Sequence, residues 1–185
     1  SDAGTLKRIV YSLIKPGLTK ILSTTISSAV ASVEFNSTYV TSAYNNYRIV
    51  LTGMSTASDN QDIALKMSVD NGSNFATHVG GYIWVHLNTA VDNQWGSDGN
   101  LAYWSIGLDE EATAEGSTNG FYDIWDTQST TMWKQGTGRA VAKNQNGEYY
   151  WYTTGGLFQS TSAVNYIKIY TAGGGNLDAG TVTLY

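Results

Sequence analysis

The sequence predicts an all-β protein: an antiparallel β-sandwich, jelly-roll-like, with an extended or partly helical N-terminal arm. Three observations support this prediction. Apolar residues recur at every second position in many short segments, which is the period of a half-buried strand. Glycine occurs 20 times and proline once, and only 14% of the residues are charged. Many Thr, Tyr, Trp and Val residues at low charge are typical of pleated sheets joined by polar turns.

Residues 1–28 are predicted to form the arm. Four basic residues against one acidic residue give the arm a charge of +3, whereas six basic against fourteen acidic residues give the remainder −8. A basic arm on an acidic body is suited to docking on an acidic partner surface. The net charge of −5 argues against nucleic-acid binding. No stretch approaches the ~18 apolar residues of a membrane helix, so no membrane contact is predicted.

Apolar residues of the arm fit helical spacing loosely, and Pro16-Gly17 interrupts the run. The arm is therefore predicted either as a helix or as an extended segment lying along a partner, and the alternative is a solvated, partly ordered terminus that docks on nothing. The residues predicted to dock on that partner are Lys7, Arg8, Ile9, Leu13, Ile14 and Lys15.

Residues 29–185 are predicted to form one β-sandwich domain. Asp70-Asn71-Gly72 and Asn146-Gly147 predict hairpin turns, because both Asn and Gly accept a positive φ. Residues 88–100 are polar and are predicted to form a loop around Trp95. Long polar loops between strands favour a jelly roll over a simple meander. The predicted strands are 30–35, 47–54, 62–69, 82–87, 101–108, 121–125, 132–135, 139–143, 148–153, 164–170 and 181–185.

Catalytic or metal-binding groups are not evident. The chain has no cysteine, which excludes thiol nucleophiles and Cys-based metal sites. His78 and His86 are predicted to be surface or rim residues, because no third ligand accompanies them. Acidic loops leave a calcium site open as an alternative, although none has EF-hand spacing. Carboxylate pairs such as Asp123 with Asp126 are the groups a glycosidase uses, but their sequence spacing does not place them across a cleft. We therefore predict no catalytic residue, no metal and no cofactor.

Aromatic residues are the more informative group. Four consecutive aromatics on a strand must place two side chains on each face. One face is predicted to be core, and the other a subunit interface, a sugar-binding surface or simply exposed. Trp95 is predicted to be exposed in its loop, and the tryptophans in predicted strands are assigned to the core. The predicted interface or glycan platform consists of Trp95, Tyr149, Tyr150, Trp151 and Tyr152.

Several segments taken together resemble a known family. They are the run from Val33 through Tyr44 to Leu51, the segment Leu65–Gly72 with its Asp-Asn-Gly turn, Tyr166–Tyr170, and Gly180–Tyr185. This order resembles the jelly-roll virion proteins of tailed bacteriophages and their prophages, which include head decorations and fibre or spike parts. The resemblance implies a jelly roll that is frequently a homotrimer and is mounted on a virion by a short N-terminal segment. It carries no catalytic or ligand-binding residue over to this chain.

The sequence therefore predicts a non-enzymatic structural component of a phage virion, either a capsid decoration or cement protein or a fibre or spike subunit. Its predicted partners are its own copies in a homotrimer and other capsid or tail proteins, and its predicted location is the virion. The alternative is a carbohydrate-binding β-sandwich module used in attachment to cell-surface glycans. An enzyme is the least favoured reading, because no nucleophile, base or metal set is placed.

Overall fold

The computed structural model describes residues 17–75, 77–86, 94–101, 103–110, 112, 117–144 and 146–185, without the side chains of 84–101 and 108–110. Within these ranges the chain forms twelve strands. They are β1 (Leu22–Ile26), β2 (Ser32–Phe35), β3 (Tyr47–Thr56), β4 (Gln61–Ser68), β5 (His78–His86), β6 (Gln94–Leu101), β7 (Trp104–Glu110), β8 (Thr118–Trp125), β9 (Lys134–Lys143), β10 (Tyr149–Phe158), β11 (Tyr166–Thr171) and β12 (Leu177–Leu184).

The strands form two antiparallel sheets. The large sheet has the order β1-β12-β3-β8-β9-β10-β5-β6, and the small sheet has the order β2-β11-β4-β7. Strands β1 to β4 lie alternately in the large and the small sheet. At the C-terminal end of the chain, β11 lies in the small sheet and β12 in the large sheet. This is the winding of an eight-stranded jelly roll, to which β9, β10, β5 and β6 add a four-stranded extension of the large sheet. The predicted fold class is confirmed.

The core lies between the two sheets and follows the period-two pattern of the sequence. Strand β3 buries Tyr47, Ile49 and Leu51 from the large sheet, and β4 buries Ile63 and Leu65 from the small sheet. These side chains belong to one contiguous apolar cluster. Fully burying a side chain such as Ile or Leu stabilises the fold by roughly 1.5–3 kcal/mol, so this cluster is the main source of stability.

Glycines allow the extension of the large sheet to pack beneath two large rings. Trp104 of β7 lies on Tyr122 of β8 with ring centroids 5.3 Å apart. A Cβ atom at Gly136 would lie 2.5 Å from the Tyr122 ring, and one at Gly156 would collide with Trp104. The rings therefore rest on bare backbone, which explains why the extension is rich in glycine.

The predicted boundary between arm and body is wrong. Residues 22–26, which the prediction places in the arm of residues 1–28, form β1 and pair with β12 along its length. Ile26 is buried in the core, and Ser23 Oγ and Thr183 Oγ1 are 2.9 Å apart in a hydrogen bond. The six predicted docking residues, from Lys7 to Lys15, lie outside the described residues.

Three other local predictions need correction. Strand β6 occupies the C-terminal half of the predicted loop 88–100, where the sequence shows little apolar alternation. The predicted strands 132–135 and 139–143 are one strand, β9. The turn at Asp70-Asn71-Gly72 has the expected positive φ at Asn71 and Gly72, yet it makes no hairpin, because β4 and β5 belong to different sheets.

The second predicted turn is confirmed. Strands β9 and β10 form a hairpin in which Lys143 faces Tyr149. Asn144 N donates to Glu148 O at 3.0 Å, and Gly147 adopts φ 78°. The side-chain oxygen of Asn144 accepts from the backbone of Asn146 and Glu148, which fixes the turn.

Candidate functional site

The aromatic run on β10 divides between the two faces of the large sheet. Tyr150 and Tyr152 are buried against Ala140 and Ala142, and the hydroxyl of Tyr152 donates to the carbonyl oxygen of Ile106. The prediction of two side chains on each face is confirmed. Tyr150 and Tyr152 are core residues, so they do not belong to the predicted platform.

The other half of the run faces outward, next to exposed side chains of neighbouring strands. Tyr149 is exposed and Trp151 is half-buried. Val141 on β9 lies directly opposite Trp151. One row further along the strands, Phe121, Arg139, Thr153 and Ile83 are in register across β8, β9, β10 and β5. We call the apolar members of this surface the outer patch: Ile83, Phe121, Val141, Tyr149 and Trp151.

Most of the outer patch is exposed, and at its edge the guanidinium carbon of Arg48 lies 4.6 Å from the ring centroid of Phe121. Ile83, Phe121, Val141 and Tyr149 each expose 36–48% of their surface. Beside them, Gly81 and Gly155 face each other and form a shallow depression of about 460 Å³ with Thr137 and Thr153. Trp95 lies opposite Ile83 on β6, so the structure places it in a strand rather than in the predicted loop. Its side chain lies outside the described part of the chain.

A second surface is a cleft at one end of the large sheet, which we call the end cleft. Its volume is about 540 Å³, and it is lined by 17–19, 43–48, Asp123, Trp125 and Tyr185. Arg48 forms a bidentate ion pair across β3 and β8: its Nε and Nη2 each lie 2.6 Å from one carboxylate oxygen of Asp123. These hydrogen bonds raise the pKa of Arg48 above its usual value.

Aromatic rings line the end cleft beside the ion pair. Tyr44 and Trp125 expose 38% and 37% of their surface. Tyr44 packs edge-on against Tyr47 at a centroid distance of 6.1 Å. The hydroxyl of Tyr47 accepts from Thr41 N at 2.7 Å and donates to Thr41 O at 2.9 Å. The loop that carries Tyr44 is therefore held in place by hydrogen bonds at its ends.

Two predicted core tryptophans are on the surface instead. Trp125 and Trp133 are both exposed, whereas Trp104 is buried as predicted. The strand position of Trp125 was identified correctly, but Trp125 occurs at an outward position of β8, between the inward-facing Ile124 and the buried Thr127. Trp133 was predicted in a strand but precedes β9, which begins at Lys134. Sequence alternation defines two faces of a strand, and an aromatic residue is accommodated on either.

The prediction for His78 is wrong, because the residue is buried. Its Nε2 accepts a hydrogen bond from Met67 N at 3.1 Å, and its ring packs against Trp104 and Phe158. The side chain of His86 lies outside those described. Among the described residues, no group of three or more His, Cys, Asp or Glu side chains is placed to hold a metal ion.

Two of the acidic residues considered for a calcium site or a carboxylate pair, Asp70 and Asp123, form hydrogen bonds within the chain. Asp70 accepts hydrogen bonds from Ser68 Oγ and from the backbone and side chain of Asn74, and these bonds lower its pKa to about 2. Asp123 bonds to Arg48 through both carboxylate oxygens.

Within the described ranges, no helix is long and apolar enough to span a membrane.

The outer face of the small sheet carries aromatic and charged side chains that contact one another. Lys66 Nζ lies 4.2 Å from the ring centroid of Phe75 and 4.5 Å from that of Tyr170. Lys168 Nζ lies 2.9 Å from Glu34 Oε1. Hydrogen bonds from Tyr166 and Lys168 lower the pKa of Glu34 to about 2. Burial, assisted by nearby Tyr103, raises the pKa of Tyr170 to about 12.

Comparison with known proteins adds no family to this description. No protein-family model, no curated protein and no solved structure matches the chain. The resemblance to phage virion jelly rolls therefore stays a prediction, and the function is inferred from the surfaces described above.

Proposed function

We propose that the protein is a non-enzymatic structural subunit of a phage virion, a capsid decoration or a fibre or spike subunit. It forms a homotrimer through the outer patch and docks onto capsid or tail proteins by its N-terminal arm. The observation that supports this proposal is the outer patch itself. Exposed, contiguous apolar surface on an otherwise polar protein is typical of interaction sites.

A trimer needs a second surface to receive the outer patch. In a ring of three subunits each contact joins two different surfaces, because the interface is heterologous. The β8–β9 connection supplies a candidate, since Met132 and Trp133 are exposed there. Lys134, fully buried, donates from Nζ to the carbonyl oxygens of Ser129, Met132 and Ser160. Because these bonds fix the loop before association, its exposed apolar residues lose less conformational entropy when they are buried in an interface.

The arm acts through β1 in this proposal. Because β1 is hydrogen-bonded along its length to β12, a pull on the preceding residues is transmitted into the large sheet as shear between paired strands. The charge of +3 on residues 1–28 favours an acidic docking surface on the virion. The docking residues remain those predicted from the sequence, with Lys7 and Arg8 pairing to carboxylates and Ile9, Leu13 and Ile14 buried.

The test is the mass of the purified protein by light scattering at micromolar concentration. The chain mass is 20.0 kDa, and we expect the wild-type protein to have three times this mass. The double variant Ile83→Lys, Val141→Lys should have the mass of one chain, because two charges in the outer patch resist burial in an interface. The control Ser28→Lys, Ala57→Lys adds the same charge at exposed positions in the connections after β1 and β3. It should remain trimeric.

A monomeric wild-type protein would contradict the proposed assembly. A trimer that persists in the Ile83→Lys, Val141→Lys variant would place the interface elsewhere.

The second candidate function is glycan binding in host attachment. The end cleft favours it, since it combines exposed rings with hydrogen-bonding groups.

A further inference from the structure

We propose that the end cleft is a binding site for a neutral saccharide. The proposal names the site and ligand class for the second candidate function, and it is independent of trimer assembly. The end cleft and the outer patch share no residue, and they adjoin where Arg48 of the cleft lies over the Phe121 ring. A failure of one proposal therefore leaves the other standing.

The first argument is the pair of exposed rings. Pyranose rings present an apolar face of C–H groups, and an aromatic side chain offers a flat, amphipathic surface that stacks against it. Tyr44 and Trp125 supply two such surfaces in the same cleft, from the loop before β3 and from the end of β8. Their exposure of 38% and 37% leaves ring surface for a ligand, while their remaining contacts hold them in place.

The second argument is the set of hydrogen-bonding groups next to these rings. Each oxygen of Asp123 accepts one bond from Arg48, and an ionised carboxylate has about four acceptor positions in total. Arg48 uses two of its five N–H donors on Asp123. The ion pair therefore keeps both donors and acceptors for a ligand. Sugar hydroxyls are donors and acceptors at once, so adjacent hydroxyls match such a pair.

Asparagine side chains extend this polar set. Asn46 uses its Oδ1 to accept from Asp126 N at 3.1 Å, which directs its NH₂ group away from that bond. Among the described residues its NH₂ group makes no hydrogen bond within the chain. Asn45 holds the wall through its backbone carbonyl oxygen, which accepts from Thr127 N at 2.9 Å and from Thr127 Oγ1 at 3.0 Å. Asn45 is exposed and lines the cleft, so it adds a polar residue to this wall.

Charge and size indicate a neutral oligosaccharide. Within the cleft the charge of Arg48 is balanced by Asp123, and the whole chain carries −5. An anionic sugar would meet no unbalanced cation from this pair. The cleft volume of about 540 Å³ falls within the roughly 300–1,000 Å³ typical of small-ligand sites. The bonds that hold Tyr47 and Asn45 pre-form the site, so little ordering is required on binding.

The experiment is a glycan array that carries neutral hexose and N-acetylhexosamine oligosaccharides beside sialylated and sulfated ones. The full-length protein is applied in a concentration series so that apparent Kd values are obtained. We expect neutral glycans to bind and the anionic ones to be weaker. Trp125→Ala and Tyr44→Ala should each weaken binding by about tenfold, because each removes one stacking surface.

Phe75→Ala is the matched control, because it removes a half-buried aromatic ring that lies against Lys66 on the small-sheet face and lines neither the end cleft nor the outer patch. It should change the apparent Kd by less than about twofold. Thermal unfolding establishes that each variant is folded, and the two cleft variants serve as independent tests if one of them is not. The proposal is overturned if no neutral glycan binds, if sialylated or sulfated glycans bind better, or if binding survives both cleft substitutions.

Discussion

The two outer faces of this sandwich are built differently. On the small sheet, the charged groups of Lys66, Lys168 and Glu34 contact rings or each other, and Tyr166 is nearly buried under the turn at Gly72. On the large sheet, Ile83 and Val141 stand in solvent. Among the described residues, every large apolar side chain that is exposed lies outside the strands of the small sheet.

The difference shows which face has its exposed side chains already in contact with other side chains of the same chain. Cation–π contacts and ion pairs cover the rings of the small-sheet face, so it gains little from a partner. On the large sheet such contacts lie across β3 and β8, where Arg48 pairs with Asp123 and lies over the Phe121 ring, whereas Ile83 and Val141 on β5 and β9 expose apolar surface. Burying the outer patch in an interface would remove apolar area from water at roughly 25 cal/mol per Å². The same protein thus has one face suited to solvent and one suited to contact. Three substitutions sharpen this comparison.

The largest loss of stability is expected from a substitution at Gly72, where the turn packs against the ring of Tyr166 on the small-sheet face. A Cβ atom there would lie 2.9 Å from the Tyr166 ring, and the residue has φ 87°. Gly72→Ala should therefore lower the free energy of unfolding by about 2–4 kcal/mol, the sum of backbone strain and overpacking. Gly147→Ala is the control in the β9–β10 hairpin, with φ 78° but no atom within 4 Å of the added methyl group.

Gly147→Ala should cost only the backbone strain, about 1–2 kcal/mol. Urea denaturation at fixed protein concentration measures both variants. Equal losses at the two glycines would mean that Tyr166 is not held against the turn, and the account of the small-sheet face would fail.

A smaller effect is expected at Lys66, which contacts two rings on the same face. Lys66→Gln removes both cation–π contacts and should cost about 1–2 kcal/mol, given about 0.5–1 kcal/mol for each at a surface site. Arg139→Gln, on the exposed outer face of β9, should change stability by less than about 0.5 kcal/mol. The same urea titration compares them, and indistinguishable variants would remove the energetic contrast between the faces.

The smallest effect is the pH dependence that Glu34 contributes. Its pKa is lowered from 4.5 to about 2 in the folded protein. Its stabilising contribution is therefore fully present above about pH 5 and is lost as the pH falls toward 2. Glu34→Gln should be less stable than wild type at pH 6, and the difference should shrink by pH 3. Urea midpoints at several pH values measure this, and curves that stay parallel would contradict the prediction.

Predictions from local pattern succeeded where neighbouring residues decide the outcome. The alternation of Tyr149 to Tyr152 and the hairpin at Asn146-Gly147 depend on strand pleat and on positive φ, which are properties of the segment itself. Residues 22–26 were misassigned because β1 is short and its partner, β12, lies more than 150 residues away. His78 was misassigned because only the fold brings Met67 N to its ring nitrogen.

The candidate sites show the same division. Tyr149 and Trp151 were identified as the outward half of an aromatic strand, but their neighbours Ile83 and Val141 come from β5 and β9. The end cleft was not predicted at all. Its parts are an Asn-rich loop, an ion pair and a tryptophan that looked like core, and nothing in the spacing of Arg48 and Asp123 links them.

The sequence by itself determined the all-β class, most of the strands and the two-faced character of the aromatic run, because a strand's side chains alternate with a period of two. The tertiary structure alone decided which face meets solvent, which strands become neighbours and where distant polar and aromatic groups converge. Alternation divides a strand into two faces but carries no information about what covers each one. That depends on contacts between residues far apart in the chain, which the jelly-roll winding and its four-stranded extension create.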